Sequence, residues 1–187
     1  MKIKDILVPG ITLFIICIVT AFLLAYTNQI TAPKIKALSE KNANETRMKV
    51  LTEAKDFDEE KLKTDSGEVT YYIGKSADGE TVGYVFTTVQ KGYGGDVTVM
   101  TGINADGVVE GIEPLELSET AGLGMKATGE DFKNQFKGKS GEIGVAKSNP
   151  QDNEIQALTG ATITSKAVTS AVNTALGYFE NIKGGAK

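Results

Sequence analysis

The run Leu158-Thr159-Gly160-Ala161-Thr162-Ile163-Thr164-Ser165 holds the most chemically suggestive grouping in the chain. Four hydroxyl side chains (Thr159, Thr162, Thr164 and Ser165) flank two small residues, Gly160 and Ala161, just before a long amphipathic stretch. Small residues let another molecule approach the backbone closely. If the amphipathic stretch is a helix, its first amides lack intrahelical acceptors. Its dipole then favours an anion there by about 0.3–1 kcal/mol at an exposed site. The chemistry such a segment offers is the seating of a phosphate. The plainer use of the same residues is as helix caps and turns. The lysine of a nucleotide-binding P-loop and the glycine spacing of a dinucleotide fingerprint are both missing.

Composition narrows the choices further. The 187-residue chain has no histidine and one cysteine, Cys17. Ser-His-Asp and Cys-His nucleophile pairs are therefore excluded. Cys17 alone cannot form a disulfide within the chain, a CxxC pair, a zinc site or an all-cysteine iron–sulfur site. Any redox role requires a borrowed organic cofactor. The net charge of −4 does not indicate a nucleic-acid binder.

These residues need elements to position them. Residues 165–182 carry Val168, Ala171, Val172, Ala175, Leu176, Phe179 and Ile182 at helical spacing, with Thr164 or Ser165 suited to cap the helix and Gly184-Gly185 beyond its end. Residues 68–74 and 81–90 read as strands around the turn signal Asp78-Gly79, and residues 96–103 and 108–114 as strands around Asp106-Gly107. A helix is expected over 129–137, with Phe132 and Phe136 on one face, and a short strand over 142–146. Together they give an α+β domain built on an antiparallel sheet with packed helices.

A single transmembrane helix and a helical stalk precede this domain. Residues 6–26 form an apolar run of 21, and no charge occurs between Asp5 and Lys34. At ~1.5 Å per residue that run spans about 32 Å, enough for a bilayer core of roughly 30 Å. The apolar core of a cleaved signal peptide is usually shorter, and Leu23-Leu24-Ala25 is a poor cleavage site; a buried core helix of this length with no polar face would be unusual. Lys2, Lys4 and the terminal amine lie nearest the span, which favours a cytoplasmic N-terminus over residues 1–5. A helix over 33–56 makes residues 27–60 a juxtamembrane helical stalk, and residues 61–187 follow as an extracytoplasmic domain. Beyond the span the chain keeps 18 basic and 23 acidic residues, a surface not drawn to anionic lipid.

Thr159-Gly160-Ala161-Thr162, followed by Ile-Thr-Ser and a helix, resembles the flavinylation motif of FMN-binding domains. Such domains occur in the RnfG-like subunits of the Rnf electron-transport complexes and in a related subunit of the sodium-translocating NADH:quinone reductases. Two more stretches carry the likeness: Gly92-Tyr93-Gly94-Gly95 before a strand, and Glu119-Thr120-Ala121-Gly122-Leu123-Gly124, similar to the family's Glu-Thr-Pro-Gly-Leu-Gly loop. Ala121 stands where the family has proline, and Gln156 where it often has aspartate. The resemblance implies FMN esterified to Thr162 by a separate flavin transferase that draws on FAD. It implies polar contacts to the flavin from Glu119 and Thr120, and packing on the ring by Leu123 and Leu158. Thr159, Gly160, Ala161, Thr164 and Ser165 would complete the cofactor site. The ester would keep about one negative charge, against roughly −1.5 to −2 for a free monoester.

The compact length is closer to the Rnf subunit than to the quinone-reductase subunit. The resemblance then implies an electron carrier in the cell (inner) membrane. Its partners would be other membrane subunits of a complex that couples ferredoxin:NAD electron transfer to Na+ or H+ translocation. Two alternatives stay open: a flavin subunit of a quinone reductase or other respiratory system, and a cofactor-free membrane-anchored assembly module.

Overall fold

The computed structural model describes residues 4–64 and 67–184. Residues 1–3 of the expected amino-terminal arm, and Gly185, lie outside them. The chain divides between Ala43 and Asn44 into two compact units.

The first unit lies on α1 (Lys4–Val50), whose last residues belong to the second. Among the described residues α1 is the helix long and apolar enough to cross a membrane. Its large apolar side chains stand free, Phe14 at 66 % and Leu24 at 72 % exposure. Three of its threonine hydroxyls bond within the helix. Thr20, Thr27 and Thr31 donate to the carbonyls of Ile16, Leu23 and Thr27 at 2.9, 2.8 and 2.5 Å. A hydroxyl bonded to its own helix does not need water.

The second unit is a five-stranded antiparallel meander: β1 (Asp56–Thr64), β2 (Gly67–Lys75), β3 (Thr81–Lys91), β4 (Asp96–Asn104) and β5 (Val109–Leu117). The Asp-Gly turns fall where the sequence puts them, with Gly79 and Gly107 at φ +81° and +85°. After β5 come a 3-10 turn (Gly124–Thr128), α2 (Glu130–Lys133) and a second 3-10 turn (Asn134–Phe136) in place of the single helix expected over 129–137. Phe132 and Phe136 are both buried and meet edge to face, 5.6 Å between centroids. Lys133 fixes this segment through 2.7 Å ion pairs to Glu113 and Glu130. β6 (Gly144–Ala146) pairs in parallel with β7 (Glu154–Gln156). Helix α3 (Thr162–Gly184) closes the fold.

The period-two alternation of the strands explains the layers. Phe86, Val97, Val99, Ile103 and Ile112 turn one sheet face toward Val168, Val172, Leu176 and Phe179 of α3. Each such fully buried side chain contributes roughly 1.5–3 kcal/mol. On the opposite face Val85 and Met100 pack against Val50, Leu51 and Ala54, at and after the end of α1. A row of glycines makes room there. Gly74 pairs with Gly83, and Gly102 with Gly111. A methyl group on Gly102 would collide with the Val50 carbonyl, lying 2.6 Å from its carbon. Arg47 adds a cation–π contact, with Cζ 3.5 Å from the centre of the Tyr72 ring.

Three differences from the sequence reading have physical reasons. The helix expected over 33–56 ends at Val50, because Val50 and Leu51 are drawn into the core. Residues 56–64, which straddle the end of the expected stalk at residue 60, form strand β1, mostly exposed and paired on one side only. Helix α3 begins at Thr162, so Thr164 and Ser165 are not its cap but lie inside its first turn.

Candidate functional site

Three segments of the second unit meet at one end of the sheet: the β3–β4 turn (residues 92–95), the loop after β5 (residues 118–124) and the start of α3. They enclose a cleft of about 410 Å3, lined by Tyr93, Glu119, Thr120, Leu123, Gly124 and residues 160–164. Clefts that take small molecules run from about 300 to 1,000 Å3.

The turn and the loop are held together through Glu119. Its Oε1 accepts the Tyr93 amide at 2.8 Å and, more loosely, the Gly94 amide at 3.5 Å. The turn closes on itself by a 2.8 Å bond from the Gly92 amide to the Gly95 carbonyl. A methyl on Gly95 would lie 2.8 Å from the Ser118 Cβ, so the glycine turn rests directly on this loop. The loop turns back through bonds to the Thr120 carbonyl from the amides of Leu123 and Met125, 3.1 and 3.3 Å.

Gly160, at φ +76°, brings the chain into α3. The Ala161 amide bonds the Leu158 carbonyl at 3.0 Å, and the first intrahelical bond runs from the Ser165 amide to the Ala161 carbonyl, also 3.0 Å. Helix geometry therefore leaves the amides of Thr162, Ile163 and Thr164 without intrahelical acceptors. No acidic residue occupies this first turn. The half-buried Thr162 hydroxyl thus stands where a helix dipole favours an anion.

Thr164 is the clearest sign of a ligand. It is 1 % exposed, and its Oγ1 has no hydrogen-bond partner although it lines the cleft. Buried hydroxyls are normally satisfied, so this one points to an absent partner. Across the cleft, a methyl on Gly124 would sit 2.8 Å from both Thr164 Oγ1 and Glu119 Oε2. Only a glycine lets these two groups share that corner. Tyr93, Leu123 and Ile163 supply an exposed apolar rim at 72, 42 and 53 %. The residues suit a ligand with an anionic end and an apolar part.

Of the expected site residues, the cleft gathers Glu119, Thr120, Leu123, Gly160, Ala161, Thr162 and Thr164. Leu158, Thr159 and Ser165 do not line it. Leu158 is half-buried and packs against the main core, and Thr159 is exposed to one side. Ser165 is fully buried, its Oγ accepting the Leu158 amide at 2.9 Å and donating to the Ala161 carbonyl at 3.0 Å. It shapes the turn from within. Gln156 is also outside the cleft, its backbone held by Gln135. Tyr93, Gly124 and Ile163 line the cleft although the sequence reading assigned them no role in the site. Tyr93 and Gly124 lie within the two glycine-bearing motifs, and Ile163 lies between two assigned threonines.

The FMN-binding domain family matches residues 92–177, the span that contains the whole cleft. The RnfG N-terminal region matches residues 1–53. The chain is 44 % identical to the G-type subunit of the Na(+)-translocating ferredoxin:NAD(+) oxidoreductase complex of Acetobacterium woodii, covering 92 % of this chain and 91 % of that one. It is 33 % identical to the G-type subunit of the proton-translocating ferredoxin:NAD(+) oxidoreductase complex of Clostridium ljungdahlii, with the same coverage. The crystal structure of Shewanella oneidensis NqrC superposes with a TM-score of 0.57 at 19 % identity, over 71 % of this chain and 73 % of that one, a likeness of fold. With near full-length similarity to these two proteins and an FMN-binding domain around the cleft, this chain belongs to the RnfG family, the G-type subunits of the ion-translocating oxidoreductase (Rnf) complexes.

Proposed function

We propose that the chain is the membrane-anchored electron-carrier subunit of a complex that couples ferredoxin:NAD+ electron transfer to Na+ or H+ translocation, with FMN esterified to Thr162. The observation that carries this reading is the position of Thr162. It is the first residue of a 23-residue helix, on the wall of a cleft that also holds the unpartnered Thr164 hydroxyl.

When bound, FMN supplies reversible electron transfer through its ring. The protein's part is to hold and exclude. The free amides at the start of α3 neutralise the phosphate, and Thr164 Oγ1 offers it or the ribityl chain a hydrogen bond. Leu123 and Ile163 present apolar surface to the ring. Burial of the opposite face of α3 under the sheet keeps Thr162 fixed, so the threonine acts as a tether and not as a catalyst. The apolar span, residues 6–26, anchors the chain in the cell membrane with its N-terminus inside. The folded unit then stands outside the cytoplasm, where a covalent tether prevents loss of the cofactor. The partners are the other membrane subunits of the complex and, during maturation, a flavin transferase.

The test is direct. The full chain, produced together with the transferase, should fluoresce in a gel after denaturing electrophoresis. Peptide mass spectrometry should find an added FMN on Thr162, and Thr162→Val should remove both signals. Wild-type chain without bound flavin after denaturation, or with flavin on Thr159 instead, overturns the reading.

A further inference from the structure

Tyr93 is the only side chain longer than hydrogen in the β3–β4 turn, residues 92–95. It is 72 % exposed, yet its backbone is bonded in place. Glu119 Oε1 holds its amide at 2.8 Å, and the Gly92–Gly95 bond closes the turn at 2.8 Å. The glycines around it are pressed against Ser118 and Glu119, where added methyl groups would collide. Here a carboxylate oxygen is committed to holding its backbone, and Tyr93 lines the same cleft as Leu123 and Ile163. Apolar side chains around a cleft of this volume suit a small-molecule site, and a phenol ring prefers to meet a planar π-system by offset stacking.

Building on the proposed attachment at Thr162, we infer that Tyr93 forms an aromatic wall against the isoalloxazine ring and that Glu119 is its positioning residue. This changes the part expected of Glu119. Its Oε1 is already occupied by the Tyr93 and Gly94 amides, so through that oxygen Glu119 acts on the flavin by way of the tyrosine it holds, while Oε2 stays beside Gly124 and Thr164. A stacked phenol quenches flavin emission by donating an electron to the excited ring. Phenylalanine and leucine cannot do this, and tryptophan can.

The experiment compares the flavinylated full chain with Y93L, Y93W, E119Q and E119A. It reads emission per bound flavin, with attachment at Thr162 verified by mass for each. Backbone amide exchange at Tyr93 and Gly94 is measured separately in the chain before flavin is added. Y93L should brighten the flavin several-fold, while Y93W should stay dim. E119A should brighten it and speed exchange at Tyr93 and Gly94 at least about tenfold, which corresponds to loss of roughly 1.4 kcal/mol of protection. E119Q keeps an acceptor oxygen and should stay near wild type in both readings. Flavinylated Y93L as dim as wild type overturns the ring contact while leaving Thr162 intact. Unchanged amide exchange in E119A overturns the positioning role, whether or not flavin is attached. Wild-type chain with no flavin on Thr162 overturns the attachment, and the ring contact with it.

Discussion

The unpartnered hydroxyls of Thr164 and Thr101 make a matched pair whose response to the cofactor should differ. Both side chains are buried, 1 % and 0 % exposed, and neither Oγ1 has a partner. Thr101 faces the sealed core between β4 and α3, whereas Thr164 lines the cleft. Valine has nearly the same shape, so replacing either threonine removes an unsatisfied hydroxyl at little packing cost. An unsatisfied buried donor costs about 1–3 kcal/mol. At roughly 2–4 °C per kcal/mol for a chain of this size, each variant without flavin should gain about 2–4 °C even at the low end of that range. Thr101→Val should keep its gain when flavin is attached. Thr164→Val should lose it, because the hydroxyl then has a bond to give up, worth about 1.5–3 kcal/mol if made to a charged oxygen. The assay is thermal unfolding by circular dichroism of the full chain in detergent, with and without co-produced transferase. Equal gains for Thr164→Val in both forms would refute the claim that its hydroxyl awaits the cofactor. A loss for Thr101→Val in both forms would refute the reasoning from unsatisfied hydroxyls.

Gly102→Ala forces a methyl into the Val50 carbonyl and should cost about 1–3 kcal/mol or more, seen as a lower unfolding temperature with unchanged flavin content. Glu110 has its carboxyl pKa raised, first by burial and then by Glu53 nearby. A carboxyl raised on folding favours the folded state below its ordinary value of 4.5 and loses that contribution as pH rises through the folded value. Glu110→Gln should therefore stabilise the chain at pH 7, with the gain vanishing in melts below about pH 4.

The legible parts of the fold are those where local chemistry and tertiary need agree. The Asp-Gly turns at Gly79 and Gly107 and the apolar stripe of α3 were readable for that reason. β1 was not. Its sequence, DFDEEKLKT, is charged because it forms a mostly exposed edge with one partner, so it carries almost no alternation. The start of α3 was misplaced because Thr164 and Ser165 have the composition of caps, whereas the Gly160 turn starts the helix two residues earlier than Thr164. Within the site, the motif residues around Thr162 were readable because backbone constraint dictates small residues there. Ser165 reads as a ligand contact in sequence although its hydroxyl bonds the turn, since a hydroxyl's direction has no signal there. Tyr93 is not legible as a site residue because its position depends on Glu119, a residue far along the chain.

The glycine row under the end of α1 also bears on the order in which the protein is made. Val50 and Leu51 leave the ribosome before any strand of the sheet, and the bare strip that receives them is finished only with Gly111 in β5. Until then two of the most deeply buried side chains in the second unit are covered only in part, by the strands already made. That interval, in which apolar surface is exposed while later strands are still being made, is when a nascent chain is most prone to wrong association. The meander shortens it, since each new strand pairs with the one just completed and no strand waits for a distant partner.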